Sequence, residues 1–137
     1  MSNRRPLIAV VDDDESVCKA LRRLIVASDM DAMTFVSGQT FLDSLPDHRP
    51  DCVVLDLHLP QMSGMDVLRA LANATWQLPV IVITGRDEPA SRARCLSAGA
   101  LAYLAKPLDQ ASLLQAIGEA VRGAPGRVRQ DLPDGAA

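Results

Sequence analysis

Leu7-Ile8-Ala9-Val10-Val11-Asp12-Asp13-Asp14-Glu15 runs five apolar residues straight into an acidic turn, and this stretch decides the fold. An unbroken apolar run is what a strand covered on both faces requires. A helical period follows at once. Val17, Ala20, Leu21, Leu24 and Ile25 recur at i, i+3, i+4, i+7 and i+8 across residues 15–28. Strand, acidic turn and amphipathic helix make one β–α unit.

The same grammar repeats down the chain. A second strand is expected over 32–36, and Ser37 is placed to cap a short helix carrying Phe41, Leu42 and Leu45 that stops before Pro46. A third strand spans 52–55, and a third helix spans 64–73 with Met65, Leu68, Leu71 and Ala72. Pro79 opens a fourth strand over 80–83, where a missing N–H is tolerated. Residues 87–98 read as a helix closed by Gly99, with a thin apolar face of Ala93, Cys95 and Leu96. Arg92 and Arg94 on that helix read as a solvated face. A fifth strand covers 101–105, and Asp109 caps a last helix carrying Leu113, Leu114, Ile117, Ala120 and Val121 and ending at Gly123. One domain is therefore expected over 1–123, with 124–137 a flexible C-terminal tail and no effector domain after it. Five β–α units predict an α/β fold: a doubly wound, flavodoxin-like parallel sheet of five strands in the order 2-1-3-4-5, in three α/β/α layers.

Composition fits one such domain. The chain has 137 residues, 48% hydrophobic and 23% charged, with a net charge of −3. That mild acidity argues against direct nucleic-acid binding, which needs a basic face. No apolar run is long enough to span a membrane. The three cysteines, Cys18, Cys52 and Cys95, are scattered without a C-x-x-C pair, so they read as buried small hydrophobes in a reducing, cytoplasmic setting.

Ligands of doubly wound sheets bind outside the carboxyl ends of the strands. Strand one ends in Asp12-Asp13-Asp14, strand three in Asp56, strand four in Thr84 and strand five in Lys106. These acids, a hydroxyl and an ammonium should meet on one rim. Two carboxylates about 4 Å apart repel by roughly 4 kcal/mol at an effective dielectric of 20, so such a cluster calls for a cation. An all-oxygen site with one lysine suits Mg²⁺, with Mn²⁺ a possible substitute. Asp56, held at a strand end, is placed as a nucleophile with its tip exposed. A phosphoryl group would fit between the cation, Thr84 and Lys106.

The stretches Val-Val-Asp12-Asp13-Asp14-Glu15, Leu-Asp56-Leu-His58-Leu-Pro60-Gln-Met-Ser-Gly64, Ile-Val-Ile-Thr84-Gly85 and Lys106-Pro107 resemble, in order and spacing, the receiver domain of bacterial two-component response regulators. The loop from Pro60 to Gly64 and the Thr84-Gly85 pair look most like the FixJ-type branch. The resemblance implies that Asp56 accepts a phosphoryl group from a phosphohistidine on a histidine kinase or histidine phosphotransfer protein. It implies that Asp13 binds Mg²⁺ directly, Asp12 mainly through water, and His58 through its backbone carbonyl. Thr84 would then hydrogen-bond the phosphoryl group and Lys106 would pair with it, while the Lys106–Pro107 peptide is cis. Tyr103 would be the switch aromatic, turning inward as Thr84 moves. His58 and Arg86 would flank the path of attacking water and gate the lifetime of the phosphorylated state.

The family implies an output face of the fourth helix, fifth strand and fifth helix, read by a downstream protein or a second copy, in a monomer or a phosphorylation-dependent dimer. Glu15, Cys18, Lys19 and Arg22 are candidates for kinase contact. The alternatives are a Mg²⁺-dependent aspartyl phosphatase-like enzyme, disfavoured because His58 stands where an Asp-x-Asp motif needs its second acid, and the receiver fragment of a longer DNA-binding regulator. An FMN-binding flavodoxin is disfavoured by three aspartates in the loop that would cradle phosphate. A receiver is a switch rather than an enzyme acting on outside substrates.

Overall fold

The computed structural model describes residues 5–74 and 77–123. Five strands alternate with five helices: β1 (Leu7–Val11), α1 (Glu15–Ala27), β2 (Asp31–Phe35), α2 (Gly38–Ser44), β3 (Cys52–Asp56), α3 (Gly64–Ala72), β4 (Val80–Thr84), α4 (Pro89–Ser97), β5 (Ala102–Ala105) and α5 (Gln110–Arg122). The strands form one parallel sheet in the order β2-β1-β3-β4-β5. This is the doubly wound order expected from the sequence. The expected tail, 124–137, lies outside the described residues.

Side chains of a strand alternate between faces, and the central strands show why their sequences are apolar throughout. Ala9, Val11, Val53, Leu55, Val80 and Val82 point into one core with Phe41, Leu45, Met65, Leu68, Leu71 and Cys95 from α2, α3 and α4. Ile8, Val10, Cys52, Val54, Ile81 and Ile83 point into the other, against Cys18, Leu21 and Ile25 of α1 and Leu113, Ile117 and Ala120 of α5. Every residue of β3 and β4 is buried.

The helix ends follow their expected chemistry. Asp14 caps α1 by accepting from the Ser16 amide, Ser37 caps α2 and Asp109 caps α5. Ser63 and Asp66 close a reciprocal capping box on α3. Gly99 takes a φ of +108° after α4, and the Gly99 and Ala100 amides donate to Leu96 and Cys95, a Schellman turn.

Several expectations shift. β2 begins and ends one residue earlier than 32–36, leaving Val36 exposed. Cys18, not Ala20, completes the buried stripe of α1, and Val67 rather than Ala72 serves α3. Both alanines point to solvent, while Cys18 and Val67 face the sheet. α4 is shorter than 87–98 and has no side-chain cap. Of its three expected apolar residues only Cys95 is buried, while Ala93 and Leu96 are exposed. The cysteines are free and buried, and burial pushes the Cys52 thiol up to about 12.

Gly64 opens α3 directly against the end of β3, and its amide donates to the Leu57 carbonyl at 2.9 Å. A Cβ there would meet the Asp56 carbonyl oxygen and lie 2.6 Å from Leu57 Cα, both backbone atoms that cannot swing away. At Gly85 an added Cβ meets nothing within 4 Å. Gly64→Ala is therefore expected to destabilise the domain by about 1–3 kcal/mol in urea denaturation, and Gly85→Ala to stay within about 0.5 kcal/mol of the parent.

Candidate functional site

The sheet delivers its polar residues at one end. Asp12 directly follows β1, Asp56 is the last residue of β3, Thr84 the last of β4, and Lys106 follows β5. Parallel pairing sets this alignment, because neighbouring strands in one register end at one level. Each of Asp12, Asp13 and Asp56 offers a carboxylate oxygen within 4.8 Å of the others.

The three acids are not equivalent. Asp12 is fully buried and both its oxygens are engaged: Oδ1 accepts from the Asp14 amide at 2.9 Å and Oδ2 from Lys106 Nζ at 2.9 Å. Asp13 is exposed. Asp56, expected with an exposed tip, is only 4% exposed. Its Oδ1 faces the His58 amide at 3.3 Å and its Oδ2 lies 3.7 Å from Lys106 Nζ. Burial, then the charge of Asp12, pushes the Asp56 carboxyl above its ordinary range, against the pull of Lys106 and the His58 amide. Burial also works to lower Lys106, but its hydrogen bond to Asp12 and the charges of Asp56 and Asp12 prevail, so the ammonium is held more firmly than usual. Three carboxylates against one ammonium leave the site electronegative, and its donor set is all oxygen. Hard cations such as Mg²⁺ suit that set.

On the far side, Thr84 is fully buried. Its hydroxyl donates to the Arg86 carbonyl at 3.1 Å and accepts from the Arg86 amide at 3.0 Å. The Tyr103 hydroxyl donates to the same carbonyl at 3.5 Å. Tyr103 is 4% exposed, so the ring expected to turn inward is already inside. The ring belongs to the core with Cys95, and Arg92 Cζ stands 5.5 Å from its centroid. The Lys106–Pro107 peptide is cis. The side chains of His58 and Arg86 are both exposed.

The rim therefore gathers Asp12, Asp13, Asp56 and Lys106, with Thr84 at the adjoining strand end. Cys18 leaves the set of exposed contact residues. It is buried, and its thiol donates to the Asp12 carbonyl at 3.2 Å. Two features escaped sequence reasoning. Arg86 contributes its backbone to both hydroxyls, which no side-chain motif reports. Arg92, read as part of a solvated face, sits on an aromatic ring that lies eleven residues on in the chain.

This rim lies at the carboxyl end of a doubly wound parallel sheet, where such folds carry their ligand sites. Residues 8–118 match the family described as the response regulator receiver domain, and the chain belongs to that family. The response regulator protein TmoT of Ectopseudomonas mendocina is 34% identical over 125 residues, which cover 91% of this chain and 57% of TmoT. The chain spans about half the length of the curated relatives it matches. A response regulator receiver protein from Burkholderia phymatum is 42% identical with a TM-score of 0.77, covering 88% of this chain and 99% of that one. The structure titled FixJ-N is 31% identical with a TM-score of 0.79, covering 89% of this chain and 96% of that one.

The raised Asp56 carboxyl fixes a sign. An acid with a raised folded-state pKa binds its proton more readily folded than unfolded. Its ionisation therefore costs stability above the folded pKa, and the cost fades as pH falls through it. Without divalent cations, Asp56→Asn is expected to raise the urea midpoint at neutral pH, with the gap to the parent shrinking as pH drops into the carboxylate range.

Proposed function

We propose that the chain is a phosphoacceptor switch, in which Asp56 receives a phosphoryl group from a phosphohistidine of a histidine kinase or histidine phosphotransfer protein, in the cytoplasm. The observation that carries this reading is the convergence of Asp12, Asp13 and Asp56 within 4.8 Å, with Lys106 Nζ within reach of both buried acids.

The division among the acids supports distinct tasks. Asp12 is saturated by Lys106 and the Asp14 amide, which fits contact with a cation through water. Asp13, exposed beside it, fits direct ligation, and the His58 backbone carbonyl completes the protein's share. Bound Mg²⁺, or Mn²⁺ in its place, supplies positive charge against which the carboxylates and incoming phosphoryl oxygens can gather. An Asp56 oxygen attacks phosphorus, and the P–N bond of the phosphohistidine breaks. Its electron pair stays on the imidazole nitrogen, which is left free to take up a proton. Lys106 lies close enough to Asp56 to follow the charge onto the new acyl phosphate.

The added phosphoryl oxygens are strong acceptors. They offer the Thr84 hydroxyl a partner better than the Arg86 carbonyl, so Thr84 releases its own loop and the 85–88 segment repositions ahead of α4. The output is then a changed α4-β5-α5 face, read by a downstream protein or a second copy, the chain being monomeric or dimerising on phosphorylation. The exposed His58 and Arg86 side chains would set how readily water reaches the acyl phosphate. Residues 1–123 would form this receiver and 124–137 its tail. The greater length of the curated relatives favours a second reading for the context, in which such a receiver works as one part of a longer regulator; that the remainder binds DNA is part of the proposal.

Incubation with a small acyl-phosphate donor and Mg²⁺, followed by intact-protein mass measurement, tests the proposal. One phosphoryl group is expected per chain, with none in Asp56→Asn and none when the cation is chelated. Lys106→Ala should slow labelling roughly a hundredfold, the scale for losing one preorganised charge at a transferring group. Equal labelling of Asp56→Asn would remove Asp56 as acceptor.

A further inference from the structure

Tyr103 is buried while the Thr84 hydroxyl is still bonded to its own loop. In a switch where the aromatic follows the hydroxyl, the ring should stay out until Thr84 has moved. Here three contacts hold it in. Its hydroxyl reaches the Arg86 carbonyl at 3.5 Å, the same acceptor that Thr84 uses. Its ring packs in the α2-α3-α4 core beside Cys95. The Arg92 guanidinium, one turn from Cys95 on α4, covers it at 5.5 Å.

α4 has little else to fasten it. Cys95 is its one buried residue, Glu88 makes no side-chain cap bond, and Leu96 is 42% exposed. A helix so weakly held gains disproportionately from one added contact to the strand beside it. A cation over an aromatic face at this distance is attractive, and Tyr is among the better partners.

From this we infer that Arg92 is a positioning residue that latches Tyr103 inward before any phosphoryl transfer, so that the α4–β5 part of the output face is preassembled in the unmodified protein. What phosphorylation then changes is the Thr84–Arg86 clasp and the loop it holds, not the burial of the tyrosine. This rests on the switch reading above only for what the face is used for. The latch itself belongs to the unmodified chain.

Tyr103 is the single tyrosine of the chain, so fluorotyrosine labelling gives one fluorine NMR signal that reports its surroundings. In the unmodified parent protein, without Mg²⁺, that signal is expected at a buried position, insensitive to exchange of H₂O for D₂O. Arg92→Ala should raise the solvent-exposed population of the ring about two- to fivefold, the range set by an exposed cation–π contact. Arg92→Lys, which keeps a cation over the ring, should restore most of the burial. Arg94→Ala, which removes an exposed arginine from the same helix, should leave the signal in place, and far-UV circular dichroism should show all three variants folded. A parent signal already exposed, an unmoved signal in Arg92→Ala, or an equal shift in Arg94→Ala would each overturn the latch. Adding the acyl-phosphate donor with Mg²⁺ to the parent then separates the two claims. Labelling with no change in ring burial supports preassembly, and labelling with a large change contradicts it. Absent labelling removes the switch reading while the cation-free comparison still decides the latch.

Discussion

The structure is organised around an electrostatic conflict. A parallel sheet forces β1 and β3 to end side by side, and their ends carry Asp12, Asp13 and Asp56 within 4.8 Å of one another. One ammonium, Lys106, delivered from β5, bridges the two buried acids. That is too little charge to balance the cluster, and burial amplifies the repulsion. Burial, and after it the charge of Asp12, pushes the Asp56 carboxyl above its ordinary range. The paired, buried interiors of β1 and β3 hold the acids at neighbouring strand ends and keep them from spreading apart. The fold thus holds an all-oxygen acidic cluster in a geometry that a hard cation would relieve.

Stability is distributed to match. The side of the sheet covered by α1 and α5 is closed by Leu21, Ile25, Leu113 and Ile117. The α4 flank is fastened by Cys95, the Schellman turn at Gly99 and the contact between Arg92 and Tyr103. The 85–88 loop lies between the site and this flank, and its Arg86 carbonyl accepts from both Thr84 and Tyr103. A change in the partner of one hydroxyl therefore alters the loop that begins α4. The Thr84 and Tyr103 hydroxyls thus share one carbonyl oxygen, so the acidic rim and the α4 flank meet at a single backbone atom.

Much of this was legible in the residues. The apolar strands, the acidic turn after Val11, the cap at Ser37 and the stop at Gly99 follow from chemistry that acts over a few positions, and the strand order follows from the run of β–α units. The convergence of Asp12, Asp13, Asp56 and Lys106 was equally readable, because strand ends in a parallel sheet lie at one level. What escaped depended on contacts across the fold. The burial of Cys18 in place of Ala20 is decided by what faces α1, not by the helical period. The depth of Asp56, 4% exposed, depends on what packs around the strand end and not on its place in the sequence. The inward ring of Tyr103 requires knowing that Arg92, on a helix that looks solvated from its sequence, lies against β5. The thinness of the α4 face was visible, but not that Ala93 and Leu96 would both be left outside.

On the proposed reading the crowded rim is a cation site that Asp13, its exposed acid, ligates directly. Calorimetric titration of Mg²⁺ into the protein, beside the same titration of Asp13→Ala, decides the matter. One ion per chain is expected in the parent, with an affinity at least roughly tenfold weaker in Asp13→Ala. No uptake by the parent, or identical uptake by both proteins, would contradict that reading.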